Sequence, residues 1–201
     1  MKNYFYQQWI LLFSHSGSEA AALVEGLNHQ NNTVSIEVFT NQSNPEKYKS
    51  NFPVEVPGGD GGWDVDRTFM AQYFKTENIW SFLRRQNTPT LVTCHGFNRI
   101  IPSDVLANPN LEIYNMHPGD TMSYPILVGK DPQEKAITLN LPHTGVMLHK
   151  VTEELDGGPL YGFFRRDIKE GTSVDELVSQ LKEDSLNLWF PFLVEKLNQC
   201  E

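Results

Sequence analysis

Trp9-Ile-Leu-Leu-Phe13, followed at once by Ser14-His-Ser-Gly-Ser18 and then by Ala20 to Leu27, decides the class of fold. The apolar run does not alternate with polar residues, so a strand made from it is covered on both faces, as inside a parallel sheet. The Ser-Gly-Ser segment ends that strand in a turn, and Ala20 to Leu27 reads as a helix. Val34 to Thr40 has β-branched residues at alternate positions and reads as a second strand. Strand, helix, strand implies a parallel crossover, and so an α/β chain: a Rossmann-like parallel sheet flanked by helices. In such sheets ligands bind beyond the carboxyl ends of the strands.

The rest of the chain extends this reading. Asn41 to Asp64 is rich in Asn, Pro and Gly and reads as loop, with a short strand at Phe52 to Val56. Val65 to Arg85 carries Phe69, Met70, Tyr73, Phe74, Ile79, Phe82 and Leu83 at helical spacing, with a break near Thr76. Thr90 to Cys94 and Leu111 to Met116 are further apolar strands. Gly145 to Lys150 and Leu160 to Arg166 form a pair around a glycine-rich turn, an antiparallel C-terminal part of the sheet. Ser173-Val-Asp-Glu176 matches a capping box, and the helix behind it runs to about Leu197 with Pro191 as a kink or break. With no repeat or linker in its 201 residues, the chain reads as one domain, 1–201.

Composition narrows the function. Apolar residues make up 39% and charged residues 20%, as in an ordinary globular protein. The net charge is −9 and the Lys and Arg residues are scattered, which argues against a nucleic-acid partner. Cys94 and Cys200 make no disulfide framework and no zinc motif. No segment has membrane-spanning length, and Trp9 to Phe13 is too short for a signal-peptide core. These features read as a cytoplasmic enzyme without a membrane partner.

Three segments carry chemistry: Ile113-Tyr-Asn-Met-His-Pro-Gly119, Thr144-Gly-Val-Met-Leu-His149 and Glu154-Leu-Asp-Gly-Gly-Pro159. Asn115 and His117 are two apart and leave one face of a strand together. Asp156 sits in the turn after the next apolar strand. An amide donor, an imidazole and a carboxylate that holds the imidazole suit acyl transfer to an amine. Taken singly, each has an ordinary structural reading: a strand end, a satisfied histidine, a plain turn. His15, His29, His95 and His143 show no shared ligand spacing, so no metal is expected.

Asn-x-His-Pro, then Gly-Val-x-x-His, then Glu-Leu-Asp-Gly-Gly-Pro resembles the catalytic core of the folate-dependent formyltransferases. The similarity runs from about Trp9 to Leu197 and is greatest to the branch that formylates glycinamide ribonucleotide in purine synthesis. The resemblance implies 10-formyltetrahydrofolate as formyl donor, no metal, and Asn115, His117 and Asp156 as catalytic residues. It places the folate along Asn98, Arg99, Ile100 and Ile101, and against Leu155 and Asp156. His149, on the strand that leads to Asp156, reads either as a residue that orients it or as a half-buried structural histidine. Ser16, Gly17, Ser18 and Glu19 would hold the acceptor's phosphate, since a turn opening a helix presents free N–H groups.

This chain departs from the family pattern where the acceptor would bind. Glu19 stands where the family has Asn, Leu186-Asn187 replaces a Glu-His pair, and the loop after His117 reads Gly119-Asp-Thr-Met122. A carboxylate at position 19 suits the helix dipole but competes with a phosphate. The acceptor therefore stays open between glycinamide ribonucleotide and an amino-sugar nucleotide or another small amine. The alternatives to transfer are a hydrolase that passes the formyl group to water and a silent folate-binding protein. The hydrolases carry an extra N-terminal domain and the methionyl-tRNA enzymes a C-terminal RNA-binding one, and neither is expected here. Oligomeric state is not legible.

Overall fold

The computed structural model describes residues 6–27, 34–41, 54–55 and 71–197. The backbone forms two compact units, residues 1–113 with 196–201, and residues 114–195.

The first unit is the parallel α/β part. Strand β1 (Gln8–Phe13) pairs in parallel with β2 (Ser35–Thr40) on one side and with β5 (Thr90–His95) on the other. Two short strands, β3 (Val54–Glu55) and β4 (Ala71–Tyr73), complete the order β3-β4-β2-β1-β5. Trp9 to Phe13 are all fully buried, as a strand apolar on both faces requires. Helix α1 (Ser18–Leu27) buries Ala20, Leu23, Val24 and Leu27, one stripe at helical spacing. Helix α2 (Thr76–Arg84) buries Ile79, Trp80 and Leu83. A short α3 (Ser103–Leu106) follows β5, and Arg84 bonds its Asp104 at 2.7 Å.

One expectation fails here. The helical spacing over Val65 to Arg85 includes Ala71–Tyr73, which form β4 instead. They pair in register with Val38–Thr40, and Phe74 N–H extends the ladder to the Thr40 carbonyl at 2.9 Å. A free strand edge beside β2 outweighs a local periodicity that a short apolar run carries ambiguously. Val65 to Met70 lie outside the described residues, as does most of the Asn41 to Asp64 segment.

The second unit is antiparallel. Strand β6 (Leu111–His117) enters it at Tyr114 and pairs antiparallel with β7 (His143–Lys150), which pairs antiparallel with β8 (Leu160–Asp167). Between β6 and β7 lie a 3-10 turn (Pro125–Leu127) and helix α4 (Pro132–Thr138). The long helix α5 (Val174–Leu197) starts where the capping box predicts, with Glu176 N–H donating to Ser173 Oγ at 3.2 Å. Pro191 neither ends nor interrupts it; the proline sits exposed, where water can take the freed carbonyl. Phe192 packs on Tyr114 and Tyr161 at 4.7 Å between ring centres, and Arg166 makes a forked ion pair with buried Asp184. The architecture is the expected one: a Rossmann-like parallel sheet with helices, and an antiparallel C-terminal part. No described helix is long and apolar enough to cross a membrane.

Leu12, fully buried on β1, tests how far the parallel unit depends on this strand. Leu12→Ala should cost roughly 2–5 kcal/mol of stability, read as a fall in the urea midpoint at unchanged slope.

Candidate active site

The antiparallel register builds the site. Asn115 lies opposite His149 and His117 opposite Met147, so the three polar residues share one side of the β6–β7 pair. Asp156 reaches them from the turn after β7. Two local features let that turn close. Asp156 adopts φ 51°, a left-handed conformation that Asp tolerates better than most residues. Gly158 passes so close to the start of the turn that a Cβ there would lie 1.9 Å from the Lys150 carbonyl oxygen. Lys150 N–H then bonds the Pro159 carbonyl at 2.9 Å, sealing the loop.

His117 is 4% exposed, with acceptors at both ring nitrogens. Nε2 is 2.8 Å from the Leu127 carbonyl oxygen, and Nδ1 is 3.3 Å from Asp156 Oδ2. The Leu127 carbonyl can only accept, so Nε2 carries a proton, and Nδ1 lies beside the carboxylate. Asp156 Oδ2 also accepts the Gly129 N–H at 2.9 Å. The loop from 118 to 131 therefore touches the pair twice, through one carbonyl and one N–H.

His149 is buried and behaves differently. Burial pushes its pKa below the usual 6.5, against weaker upward pulls from the Lys150 carbonyl and the Asp156 charge, with His117 adding to the lowering. The neutral ring donates Nδ1–H to the Lys150 carbonyl at 3.2 Å and leaves Nε2 as an acceptor. The Asn115 amide N–H takes that position at 3.4 Å. At 3.9 Å from Asp156 Oδ1, the same nitrogen is near the carboxylate without bonding it. His149 thus orients Asn115, whose second N–H stays available, and it reaches Asp156 only through space.

The other expected residues lie in the first unit. Gly17 has φ 66°, and Ser16 and Ser18 bond each other through their hydroxyls at 3.2 Å. Glu19 turns its carboxylate onto His95, with Oε2 2.7 Å from Nδ1. His95 is fully buried at its side chain, and its Nε2 meets Thr93 Oγ1 at 2.8 Å, which in turn accepts Trp9 Nε1–H at 2.9 Å. In the folate segment, Asn98 N–H donates to Ser14 Oγ at 3.0 Å, tying it to the turn after β1. Asn98 and Arg99 are exposed, Ile100 is 80% exposed, and Ile101 is buried in the core. Leu155, in the second unit, is 53% exposed. Of the departing positions on α5, Leu186 is half-buried and Asn187 exposed. Among the described residues no cluster of His, Cys, Asp or Glu is arranged to hold a metal. His29 and Cys200 lie outside the described residues; Cys94 is buried, its thiol pushed up to about 12 by desolvation.

The formyl transferase family profile matches residues 7–191, running through both units. The chain belongs to that family. Among curated relatives, the methionyl-tRNA formyltransferase of Thermotoga neapolitana is 30% identical over 149 residues, covering 74% of this chain and 45% of its own length. That of Thermus thermophilus is 28% identical over 104 residues, 52% of this chain and 33% of its own. The chain spans between a third and a half of the curated relatives it matches. Of solved structures, phosphoribosylglycinamide formyltransferase from Bacillus halodurans superposes with TM-score 0.70 at 19% identity, covering 96% of this chain and 97% of its own. The enzyme from Anaplasma phagocytophilum gives 0.69 at 21%, covering 92% and 83%. At these identities the likeness is one of fold.

For this member of the formyl transferase family, sequence motifs marked Asn115, His117, His149 and Asp156 but not their backbone partners. The Leu127 carbonyl, the Gly129 N–H and the Lys150 carbonyl carry no side-chain signature. His95 had one weak signal, its spacing of two from Thr93 on an apolar strand, which puts both on one face.

Two outcomes follow. Gly158→Ala should open the Asp156 turn and cost more than the ~1 kcal/mol of an ordinary glycine replacement, read as a fall in melting temperature. For His149, the unfolded chain binds a proton near the usual 6.5 while the folded ring binds it only at lower pH. Its share of stability is whole above that value and shrinks as pH falls below it. Urea midpoints at pH 7.5 and 5.5 should differ more in the wild type than in His149→Gln.

Proposed function

We propose that this protein transfers a formyl group from a 10-formyl reduced folate to the amine of a small acceptor, glycinamide ribonucleotide in the first instance. The observation that carries the reading is the convergence of Asn115, His117 and Asp156 within one unit, with His117 in contact with the carboxylate. On this reading residues 1–201 are one catalytic domain of a cytoplasmic enzyme that needs no metal.

The amine lone pair attacks the formyl carbon, whose oxygen becomes negative. Asn115 supplies the N–H not used by His149, and His117 supplies Nε2–H, which the oxyanion takes over from the Leu127 carbonyl. The new C–N bond leaves a positive nitrogen whose proton passes to Asp156, directly or through water. The bond to the folate nitrogen then breaks as that nitrogen receives a proton from His117, and the carbonyl re-forms. Asn98, Arg99 and Leu155 are the proposed folate contacts, with exposed Ile100 offering an apolar face to a flat ring. Ile101, buried, backs Asn98 and Arg99 within the first unit.

The acceptor reading rests on the turn at Ser16, Gly17 and Ser18. Glu19 Oε2 is drawn onto His95, and the turn that opens α1 is the proposed seat of an acceptor phosphate. A second reading, methionyl-tRNA as acceptor, is supported by the names of the curated relatives.

The deciding experiment offers 10-formyl-5,8-dideazafolate with glycinamide ribonucleotide, an amino-sugar nucleotide, methionyl-tRNA or water alone, and follows release of the deformylated folate. Transfer to glycinamide ribonucleotide is expected. His117→Ala and Asp156→Asn should each lower turnover by roughly a hundredfold or more. Glu19→Gln, which can still accept the His95 proton, should lower the KM for a phosphorylated acceptor by about two- to fivefold, the scale of one charge at a helix start. Release with water alone would make the protein a hydrolase. No release with any acceptor would reject transfer.

A further inference from the structure

A second histidine–carboxylate arrangement lies beside the first, in the same unit. Asp120 is 2% exposed, three residues after His117, in the loop where the chain leaves its family's pattern. Its Oδ1 accepts the Ser123 N–H at 2.9 Å and its Oδ2 lies 3.5 Å from His143 Nε2. The other nitrogen of His143 is 3.3 Å from the Tyr124 hydroxyl, and the two rings pack tilted at 53° with their centres 5.0 Å apart. One protonation pattern serves every group: Tyr124 O–H donates to Nδ1, and Nε2–H faces the carboxylate. A carboxylate this deeply buried is costly unless such partners offset it, so the arrangement holds together as a unit.

This cluster is joined to the reacting histidine by backbone. Tyr124 N–H bonds the Asp120 carbonyl at 3.0 Å, and the Tyr124 carbonyl accepts Leu127 N–H at 2.9 Å. The Leu127 carbonyl in turn accepts His117 Nε2–H at 2.8 Å. Two consecutive turns thus hang on Tyr124, with His143 at the start of β7 tying them to the sheet. Thr121, bonding Met147 sulfur at 3.3 Å through its N–H, is a weaker second tie.

We infer that Asp120, Tyr124 and His143 are positioning residues for His117: they clamp the 120–127 loop to β7 and thereby fix the Leu127 carbonyl that holds its Nε2–H. Without the clamp the carbonyl drifts, and His117 loses the acceptor that keeps that proton in place. The inference rests on the reading of His117 as proton carrier. It explains why a family member whose loop sequence is unusual at Gly119-Asp-Thr-Met122 can still present His117 in order. The loop brings its own anchor.

The test reads the ring directly and without substrate. In protein labelled with ¹⁵N-histidine, the His117 Nε2–H, assigned by its absence from His117→Asn, should exchange slowly with water. Tyr124→Phe keeps the ring packing and removes one hydrogen bond; His143→Ala removes the clamp. Both should speed that exchange. Turnover should fall by about tenfold or more in His143→Ala with KM for the folate nearly unchanged, since a small misplacement far from the reacting atoms can cost up to about 10²-fold. His143→Gln, which places an N–H toward Asp120, should recover most of the loss. Unchanged exchange in both Tyr124→Phe and His143→Ala would overturn the inference, as would lost turnover with the His117 proton undisturbed. A wild-type protein with a protected ring proton and no formyl transfer would reject the proposed reaction and leave the clamp standing.

Discussion

The contact between His117 Nδ1 and Asp156 Oδ2, 3.3 Å long, is the interaction on which the arrangement of the second unit turns. It joins a strand end to a turn, and neither group reaches the other without help. β6 delivers the ring at its end, and the turn after β7 delivers the carboxylate through a left-handed Asp156 and a glycine that nearly touches Lys150. The loop between them supplies a carbonyl for the far nitrogen of the ring and an N–H for the carboxylate. A buried imidazole and carboxylate stay in place only when their remaining donors and acceptors are satisfied, and here backbone groups satisfy them.

Two buried histidines on adjacent strands of this unit have opposite surroundings. His117 has a carbonyl at one nitrogen and a carboxylate beside the other. His149 has one acceptor and one donor, and burial keeps it neutral. Across the β6–β7 ladder, His117 meets Asp156 while His149 fixes the amide of Asn115. The pairing of Glu19 with His95 follows the same economy in the first unit. The Glu19 carboxylate at the start of α1 is turned onto an imidazole backed by Thr93 and Trp9.

Much of the molecule was legible in the chain. The unbroken apolar run of β1, the stripe of Ala20, Leu23, Val24 and Leu27, and the paired runs around the Asp156 turn all became the elements they suggested. Local physics suffices there, because burial on both faces, helical spacing and turn chemistry each leave a pattern in consecutive residues. Asn115, His117 and Asp156 were legible as well, through side chains whose types and order suit one chemistry.

What the sequence by itself determined is thus the class of fold and the types and order of the side chains that meet beside β6. Tertiary structure alone decided that Ala71–Tyr73 is a strand, because its helical spacing was overruled by a free edge beside β2. It alone assigned His95 to Glu19 and His143 to Asp120, pairs 76 and 23 residues apart that no local pattern links. It decided too that backbone groups of Leu127, Gly129 and Lys150 would hold the site. Every residue carries the same carbonyl and nearly every one the same N–H, so their roles are written only in where the folded chain places them.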